Sequence, residues 1–251
     1  SRGLGFLDAD NDFSSLSVYC ACLELNLPIA LIDNFQTLND DKSLINSYLP
    51  KYIFTKKELI HESYEKQDNS DNYNMYVYIK KLISLSNKIS LLISTSGTLG
   101  NKKFVILSKK NLITNTDQII DYLKITNKDV TITTLPFSYS YGLSIINTHI
   151  FKRSKIVLNN SSVIERDFYN KVNKFKVSSF GGVPFTYTIL NKINFFKKEL
   201  PYLRYVTQAG GKIKEQDFIN VYEATSKKNI KFFIMYGQTE ASPRISYVPY
   251  K

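Results

Sequence analysis

The sequence predicts an α/β fold of the doubly wound kind, with mostly parallel sheets covered by helices. Three observations carry that prediction. Short apolar runs of strand length alternate with segments of helical length along most of the chain. Several of those runs are apolar throughout, as strands buried on both faces are. Polar or glycine-bearing loops follow the runs, at 94–101, 136–142, 181–184, 208–212 and 236–240. In an open parallel sheet the carboxyl ends of the strands share one edge, and ligands bind in the crevice there. Loops distant in sequence can therefore meet in one cleft, the expected place for a composite nucleotide site.

Taken in order, GLGFL at 3–7 reads as a strand and FSSLSVYCACLELN at 13–26 as a helix, with Leu16, Tyr19, Cys20 and Leu23 on one face. LPIALID at 27–33 reads as a buried strand, LINSYL as a short helix and PKYIFT, ending at Thr55, as the next strand. The polar stretch 61–74 predicts a loop and MYVYIKKL a strand. ISLLIST at 89–95 and KFVIL at 103–107 are strands on either side of a Ser/Thr/Gly loop. Ser108 is an N-cap candidate, with Leu112, Thr116, Ile119, Ile120 and Leu123 on one helical face behind it. VTITTLPFSYSYGLS carries strand, turn and aromatic loop, and SKIVLN at 154–159 is a strand. Residues 162–175, 185–197 and 214–226 read as helices. Between and after them, VSSFGGVP, LRYVTQAGGK and IKFFIMYGQTE each run from a strand into a turn or polar loop.

The bulk properties narrow the function classes. With 251 residues, 43% of them hydrophobic, there is apolar material for one large domain or two modest ones, and disorder is excluded. The net charge of +11 raises nucleic acid as a partner. The lysines, however, come in scattered pairs such as Lys56-Lys57, Lys109-Lys110 and Lys227-Lys228, a solvated coat with no basic run of tail length. No nucleic-acid partner is expected. Cys20 and Cys22 suit neither a disulfide framework nor a zinc site and read as free thiols of a reducing compartment. No signal peptide and no uninterrupted apolar span of bilayer length is present, so the expected location is cytoplasmic. His61 and His149 form no Ser-His-Asp order and no metal spacing.

STSGTLGNKKFVILS, residues 94–108, holds the residue types that bind phosphate. A Walker loop would need glycine where Lys102 stands, a hydroxyl after its lysine, and a helix immediately behind. Lys103 is followed by Phe104 and a strand-forming run, so a phosphoryl-transfer NTPase is not the reading.

This stretch resembles the phosphate loop of the adenylate-forming (AMP-dependent) ligases, which include acyl- and aryl-CoA synthetases and peptide-synthetase adenylation domains. Thr95, Ser96, Gly97, Thr98, Gly100, Lys103 and Ser108 match the family pattern. Leu99, Lys102 and Phe104 depart from it, standing where Thr, Pro and Gly are usual. MYGQTEAS at 235–242 matches the family's Tyr-Gly-x-Thr-Glu motif in full. There the resemblance implies that Tyr236 gives adenine a flat surface, Gly237 allows close backbone approach, Thr239 offers a hydroxyl to the α-phosphate and Glu240 is a hard oxygen ligand for Mg²⁺. Ala209, Gly210 and Gly211 match the strand end beside the adenine and acyl pocket, with Lys212 where Glu is common. In the loop 135–144, Tyr139 stands where a His is usual, and Gly182, Val183 and Pro184 match the segment opening a pocket-lining helix. Ser138 falls where amino-acid-activating members often carry an Asp for the α-ammonium. A buried ammonium needs such a partner, so the substrate reads as an acid lacking an α-amine.

The resemblance implies the layered α/β/α sheets of the large N-terminal domain over 1–251, in approximate lobes 1–88 and 89–251, incomplete at both ends and without the C-terminal lid domain. It implies catalytic roles for Lys103, Thr239 and Glu240, with ATP and Mg²⁺ as cofactors. The implied reaction joins a carboxylic acid to AMP with release of pyrophosphate. A thiol, from CoA or the phosphopantetheine of an acyl-carrier protein, then takes the acyl group. The chain ends soon after Glu240, so the expectation is a piece of a longer ligase, weak or inactive until the rest of the same polypeptide joins it. An amino-acid-activating enzyme of the same superfamily and a non-catalytic nucleotide-binding module are the alternatives.

Overall fold

The computed structural model describes residues 2–33, 42–67, 73–80, 84–95 and 103–249 of the chain. They form two compact units, Ser1–Leu112 and Ile113–Lys251.

The first unit is organised by β1 (Gly5–Asp8), β2 (Ile29–Ile32) and β3 (Tyr52–Thr55), with β1 between the other two and parallel to both. β1 and β2 are buried along their whole length, which explains their unbroken apolar character. Helix α1 (Phe13–Glu24) links them, and Asp12 caps it by accepting the Ser15 N–H at 2.8 Å. Its buried residues are Ser15, Tyr19 and Cys22; of the expected face Tyr19 is buried, while Leu16, Cys20 and Leu23 are half-buried. The small Ser15 hydroxyl is drawn inward by the Asp8 carbonyl and the Tyr73 phenol. Both cysteines are free.

Helix α2 (Ser43–Tyr48) leads to β3 and sets Ile45 into a core with Phe6, Ala30, Ile53 and Leu92. The larger of these, Ile45, Phe6, Ile53 and Leu92, each contribute about 1.5–3 kcal/mol by leaving water. The stretch expected as a loop, 61–74, instead contains β4 (Tyr64–Lys66) and the first residue of β5 (Asn74–Tyr78). Its polar residues concealed a tyrosine that edges the sheet. Tyr64 is buried, packs 5.2 Å from Tyr78 and donates its hydroxyl to the Pro50 carbonyl at 2.6 Å, while Glu65 and Lys66 face solvent. β6 (Leu91–Ser94) and β7 (Phe104–Leu107) form an antiparallel pair on the far side, giving the order β4-β5-β3-β1-β2-β6-β7. That pairing carries the first unit beyond the boundary expected at 88.

Helix α3 (Lys109–Leu123) begins at a reciprocal cap. Asn111 N–H donates to Ser108 Oγ at 3.1 Å, while Ser108 N–H donates to Asn111 Oδ1 at 2.9 Å. Of the expected face, Thr116, Ile119, Ile120 and Leu123 are buried and Leu112 is half-buried.

The second unit's sheet holds β8 (Val130–Ile132), β9 (Lys155–Val157), β10 (Ser179–Gly182), β11 (Tyr205–Gln208), β12 (Lys231–Gly237) and β13 (Arg244–Tyr247), in the order β13-β12-β11-β10-β8-β9. All its pairings are parallel except β12 with β13. Helices α4 (Ser140–Phe151), α5 (Arg166–Lys174), α6 (Pro184–Lys192) and α7 (Glu215–Ser226) make the connections. The aromatic loop is therefore shorter than expected, because α4 begins inside it. Serines and Gly142 lower its propensity, but Tyr141, Ile145 and Thr148 recur at helical spacing and packing overrides the composition. The helix expected over 185–197 breaks at Asn194, which adopts φ 52°, and a 3-10 turn, Phe195–Lys197, tucks Phe195 and Phe196 into the core. There Phe180 meets Phe168 and Phe195 edge to face at 5.7 and 5.9 Å.

One polar anchor pins the amino end of this sheet. Asp129 Oδ1 accepts from Ser178 Oγ at 2.8 Å and from Arg204 Nε and Nη2 at 2.9 and 2.8 Å. Burial alone would raise its carboxyl pKa, but these donors and the Thr126 N–H hold it below the usual range. Among the described residues no helix is long and apolar enough to cross a membrane.

Candidate functional site

β10, β11 and β12 are adjacent and parallel, so their carboxyl ends, Gly182, Gln208 and Gly237, finish at one edge of the second unit. The turn after β8 reaches the same edge. Tyr139 N–H donates to the Pro136 carbonyl at 3.1 Å, which closes that turn and sets Tyr139 at the N-cap of α4. All four of these loops touch.

The first contact is Tyr139 with the glycine turn. Gly210 adopts φ 81°, in the region that favours glycine, and its open side faces Tyr139. A Cβ built there would lie 2.6 Å from the Tyr139 hydroxyl and 3.2 Å from Val183 Cγ1. Val183 precedes α6, and Pro184 occupies the helix's first turn. The same proline bounds Gly211, at 3.3 Å from its would-be Cβ. Gln208 Nε2 donates to the Gly211 carbonyl at 2.9 Å, and Ala209 N–H to the Gly182 carbonyl at 3.3 Å. Tyr139, Gly182, Val183, Pro184, Ala209, Gly210 and Gly211 are thus one continuous wall. Burial raises the Tyr139 phenol above its ordinary pKa, so it stays a neutral donor. Ser138 is buried beside it in the chain.

The second contact joins the aromatic loop to the Tyr-Gly-x-Thr-Glu turn. Ser140 Oγ lies 3.0 Å from Thr239 Oγ1. Thr239 and Glu240 sit on a 3-10 turn, Thr239–Ala241, between β12 and β13. The hairpin closes tightly there. A Cβ on Gly237 would fall 1.8 Å from the Pro243 carbonyl oxygen, so only glycine fits. Tyr236, 61% exposed, presents a ring face at the strand end, and Glu240 is exposed. Beneath these loops β11 is held by two phenols. Tyr141 and Tyr187 each donate to the Thr207 carbonyl at 2.7 Å.

Among the described residues no three His, Cys, Asp or Glu side chains gather as a metal site. The Glu240 carboxylate is a single hard oxygen donor, which suits a Mg²⁺ ion sharing phosphate oxygens and water rather than a protein cage. His149 is buried, and His61 packs edge to face on Tyr64 at 5.1 Å.

Of the phosphate-loop residues, Thr95 and Lys103 are described. They close the β6–β7 hairpin, with Thr95 N–H donating to the Lys103 carbonyl at 3.1 Å. Lys103 is exposed. Ser96, Gly97, Thr98 and Gly100, with the departures Leu99 and Lys102, lie outside the described residues. Phe104, which replaces the usual glycine, packs edge to face on Tyr48 at 5.1 Å. The strand behind Lys103, which set this loop apart from a Walker loop, is β7.

Three residues of the site escaped the sequence reading. Ser140 and Thr207 act through partners far along the chain, and only the helical recurrence of Tyr141, Ile145 and Thr148 pointed to that helix. Arg244 sits in a polar tail, yet its Nη1 donates to Tyr122 Oη at 2.9 Å and its guanidinium lies 4.8 Å over the Tyr141 ring.

Comparison with known proteins gives concordant results. Residues 17–251 match the family described as AMP-binding enzyme. The acyl-CoA synthetase ALT10 of Alternaria alternata is 28% identical over 159 residues, 62% of this chain and 27% of that protein's length. Among solved structures, VinN in complex with L-aspartate superposes with a TM-score of 0.78 at 16% identity, over 99% of this chain and 66% of VinN. Apo MatB from Rhodopseudomonas palustris gives 0.75 at 17% identity, over 99% of this chain and 52% of MatB. These likenesses establish the fold, and the chain spans about a quarter to two thirds of the proteins it resembles.

Proposed function

The chain belongs to the AMP-binding enzyme family, and from that premise we propose that it activates a carboxylic acid as an acyl-adenylate and passes the acyl group to a thiol. The observation that carries the reading is the convergence of three strand-end loops, through Tyr139 against Gly210 and Ser140 against Thr239. It puts the wall expected to hold an acid beside the turn expected to hold the α-phosphate.

The chemistry asks for charge management. A substrate carboxylate oxygen attacks the α-phosphorus of ATP, the new O–P bond forms, and pyrophosphate leaves with the electrons of the broken bond. Both reactants are anions. Thr239 offers a hydroxyl to an α-phosphate oxygen, and its contact with Ser140 fixes where that hydroxyl sits. Tyr236 gives adenine an exposed aromatic face. Glu240 is the residue that would hold Mg²⁺, which would supply positive charge to the phosphates. Thr95 and Lys103 are read as phosphate-binding groups on the resemblance alone. In the second half-reaction a CoA or carrier-protein thiolate attacks the acyl carbon and AMP leaves.

ALT10 is named an acyl-CoA synthetase, which supports a thiol acceptor. Buried Ser138, at the place of the usual Asp, supports an acid lacking an α-amine. Because the chain spans 27% of ALT10 and 52% of MatB, the complete reaction is proposed for the protein that contains this chain. ATP–pyrophosphate exchange over a panel of fatty, aryl and amino acids tests the reading, run on this chain and on the longest protein containing it. Exchange with a simple acid is the expected result, stronger in the longer protein. Exchange best with an amino acid would overturn the substrate class, and none with any acid would favour the non-catalytic module.

A further inference from the structure

Behind the hairpin that carries Thr239 and Glu240, the second unit encloses a small cavity. Its walls come from helices α3 and α4 and from strands β8, β10, β11 and β13, and include Thr131, His149, Ser179, Tyr205, Thr207 and Arg244. About 10 Å³ is open to the centre of a water molecule, room for one water. Three buried polar atoms on these walls have no hydrogen-bond partner among the described residues, Arg244 Nε, His149 Nε2 and Ser179 Oγ; the first two are a charged donor and a ring nitrogen, and the hydroxyl can turn either way to join them.

The chemistry of the first two is complementary. His149 is 1% exposed, and its Nδ1 lies 2.8 Å from the Ile145 carbonyl oxygen. A carbonyl only accepts, so Nδ1 carries the proton and Nε2 is a bare acceptor. Arg244 Nε–H is a donor and nothing else. Each of the other two guanidinium nitrogens has a partner: Nη1 donates to Tyr122 Oη at 2.9 Å and to Met235 Sδ at 3.1 Å, and Nη2 to Ser144 Oγ at 3.1 Å. Among the described residues no carboxylate pairs with this arginine. A buried donor and a buried acceptor left apart are both costly, and one water satisfies both, accepting from Arg244 Nε–H and donating to His149 Nε2.

The structure assigns this cavity as an internal water site that bridges Arg244 to His149 and makes Arg244 a positioning residue for the Thr239–Glu240 turn. The link to the turn is covalent and short. Arg244 pairs with Gly237 across the β12–β13 hairpin, so it sets the leg on which the turn closes. His149 lies on α4, the helix whose first residue, Ser140, contacts Thr239. The water thus ties the two ends of that contact together from below. The positioning role rests on the function proposed above; the water site does not.

Two measurements test this. In the deuterated chain, long-range ¹H–¹⁵N correlation should show His149 protonated at Nδ1 and bare at Nε2, and the Arg244 Nε–H should give a cross-peak to long-lived water. Protonation at Nε2, or no water cross-peak, overturns the site whatever the activity. In pyrophosphate exchange, Arg244→Met and His149→Leu should each lower kcat about tenfold, with the double variant no slower than either. His149→Gln, whose amide oxygen accepts from the same water, should recover most of the rate. Equal thermal melting of the Gln and Leu variants with unequal kcat would mark positioning rather than folding. Multiplying effects in the double variant, or no rescue by Gln, overturns the positioning role.

Discussion

Gly210→Ala isolates the contact on which the site reading depends. The backbone at Gly210 has φ 81°, and an L-residue in left-handed conformation costs about 1–2 kcal/mol. The new methyl also falls 2.6 Å from the Tyr139 hydroxyl. Overpacking of that kind costs about 1–3 kcal/mol, so the single variant should lose about 2–5 kcal/mol in all. The two causes separate cleanly. Removing only the hydroxyl, by Tyr139→Phe, leaves ring carbon Cζ as the nearest tyrosine-derived atom at 3.7 Å, an ordinary contact. The double variant should therefore regain most of the steric share, about 1–3 kcal/mol, and keep the backbone share. Val183 Cγ1, at 3.2 Å, retains a small residual strain. Thermal denaturation of the four proteins reads this as a shift of about 2–4 °C per kcal/mol. The KM for the acid should move in the same order, since the variant displaces Tyr139 from the wall. A double variant whose losses simply add, within about 0.5 kcal/mol, would refute the contact and with it the assembly of the wall.

Three further outcomes follow from the geometry. Gly237→Ala should disrupt the hairpin more severely than Gly210→Ala, because its Cβ meets backbone oxygen at 1.8 Å rather than a side chain that can move; exchange activity and melting temperature should fall together. Arg204→Met should destabilise by about 1–3 kcal/mol in urea titration at neutral pH. Its effect should shrink in acid, because a carboxyl held below its unfolded pKa stabilises fully above about pH 4 and loses that contribution as pH falls through the folded value. Burial pushes the Cys22 thiol up to about 11, so Cys22 should resist a thiol reagent that labels half-buried Cys20, until denaturant exposes both.

The parts of the fold legible in the sequence are those where one local signal and one burial pattern agree. β1, β2 and β6 are apolar runs buried on both faces, and the α3 face is a regular helical stripe behind a Ser108 cap. The parts that were not legible are those where tertiary contact overrides composition. β4 lies in polar sequence, pairs with β5 and buries one side chain, Tyr64; α4 is rich in Ser and Gly and is fastened by Tyr141, Ile145 and Thr148. The candidate site divides in the same way. Gly210, Gly237, Thr239 and Glu240 could be picked from short motifs because a glycine turn and a hydroxyl–carboxylate pair carry their chemistry locally. Ser140, Thr207 and Arg244 could not, because each meets a partner far along the chain, 99 positions away for Ser140 with Thr239, 66 for Thr207 with Tyr141 and 122 for Arg244 with Tyr122.

That division has a consequence for how the site responds to change. The acid wall is joined within itself by motif residues, but its ties to the Thr239 turn run through residues that the motifs do not contain. Thr239 meets the aromatic loop through Ser140, and the Gly210 turn is steadied from below by Tyr141 and Tyr187 acting on Thr207. Tyr141 also carries the Arg244 guanidinium over its ring, so one side chain touches the supports of both the acid wall and the phosphate turn. Tyr141→Phe keeps the ring and removes only the bonds to Thr207. It should loosen the Gly210 turn while leaving Arg244 seated, raising KM for the acid with little change in KM for ATP. Tyr141→Leu removes the ring as well and should raise both. Equal effects of the two variants on ATP would mean that the ring carries nothing to the Thr239 turn, and the acid wall and the phosphate turn would then be separate devices on a shared edge.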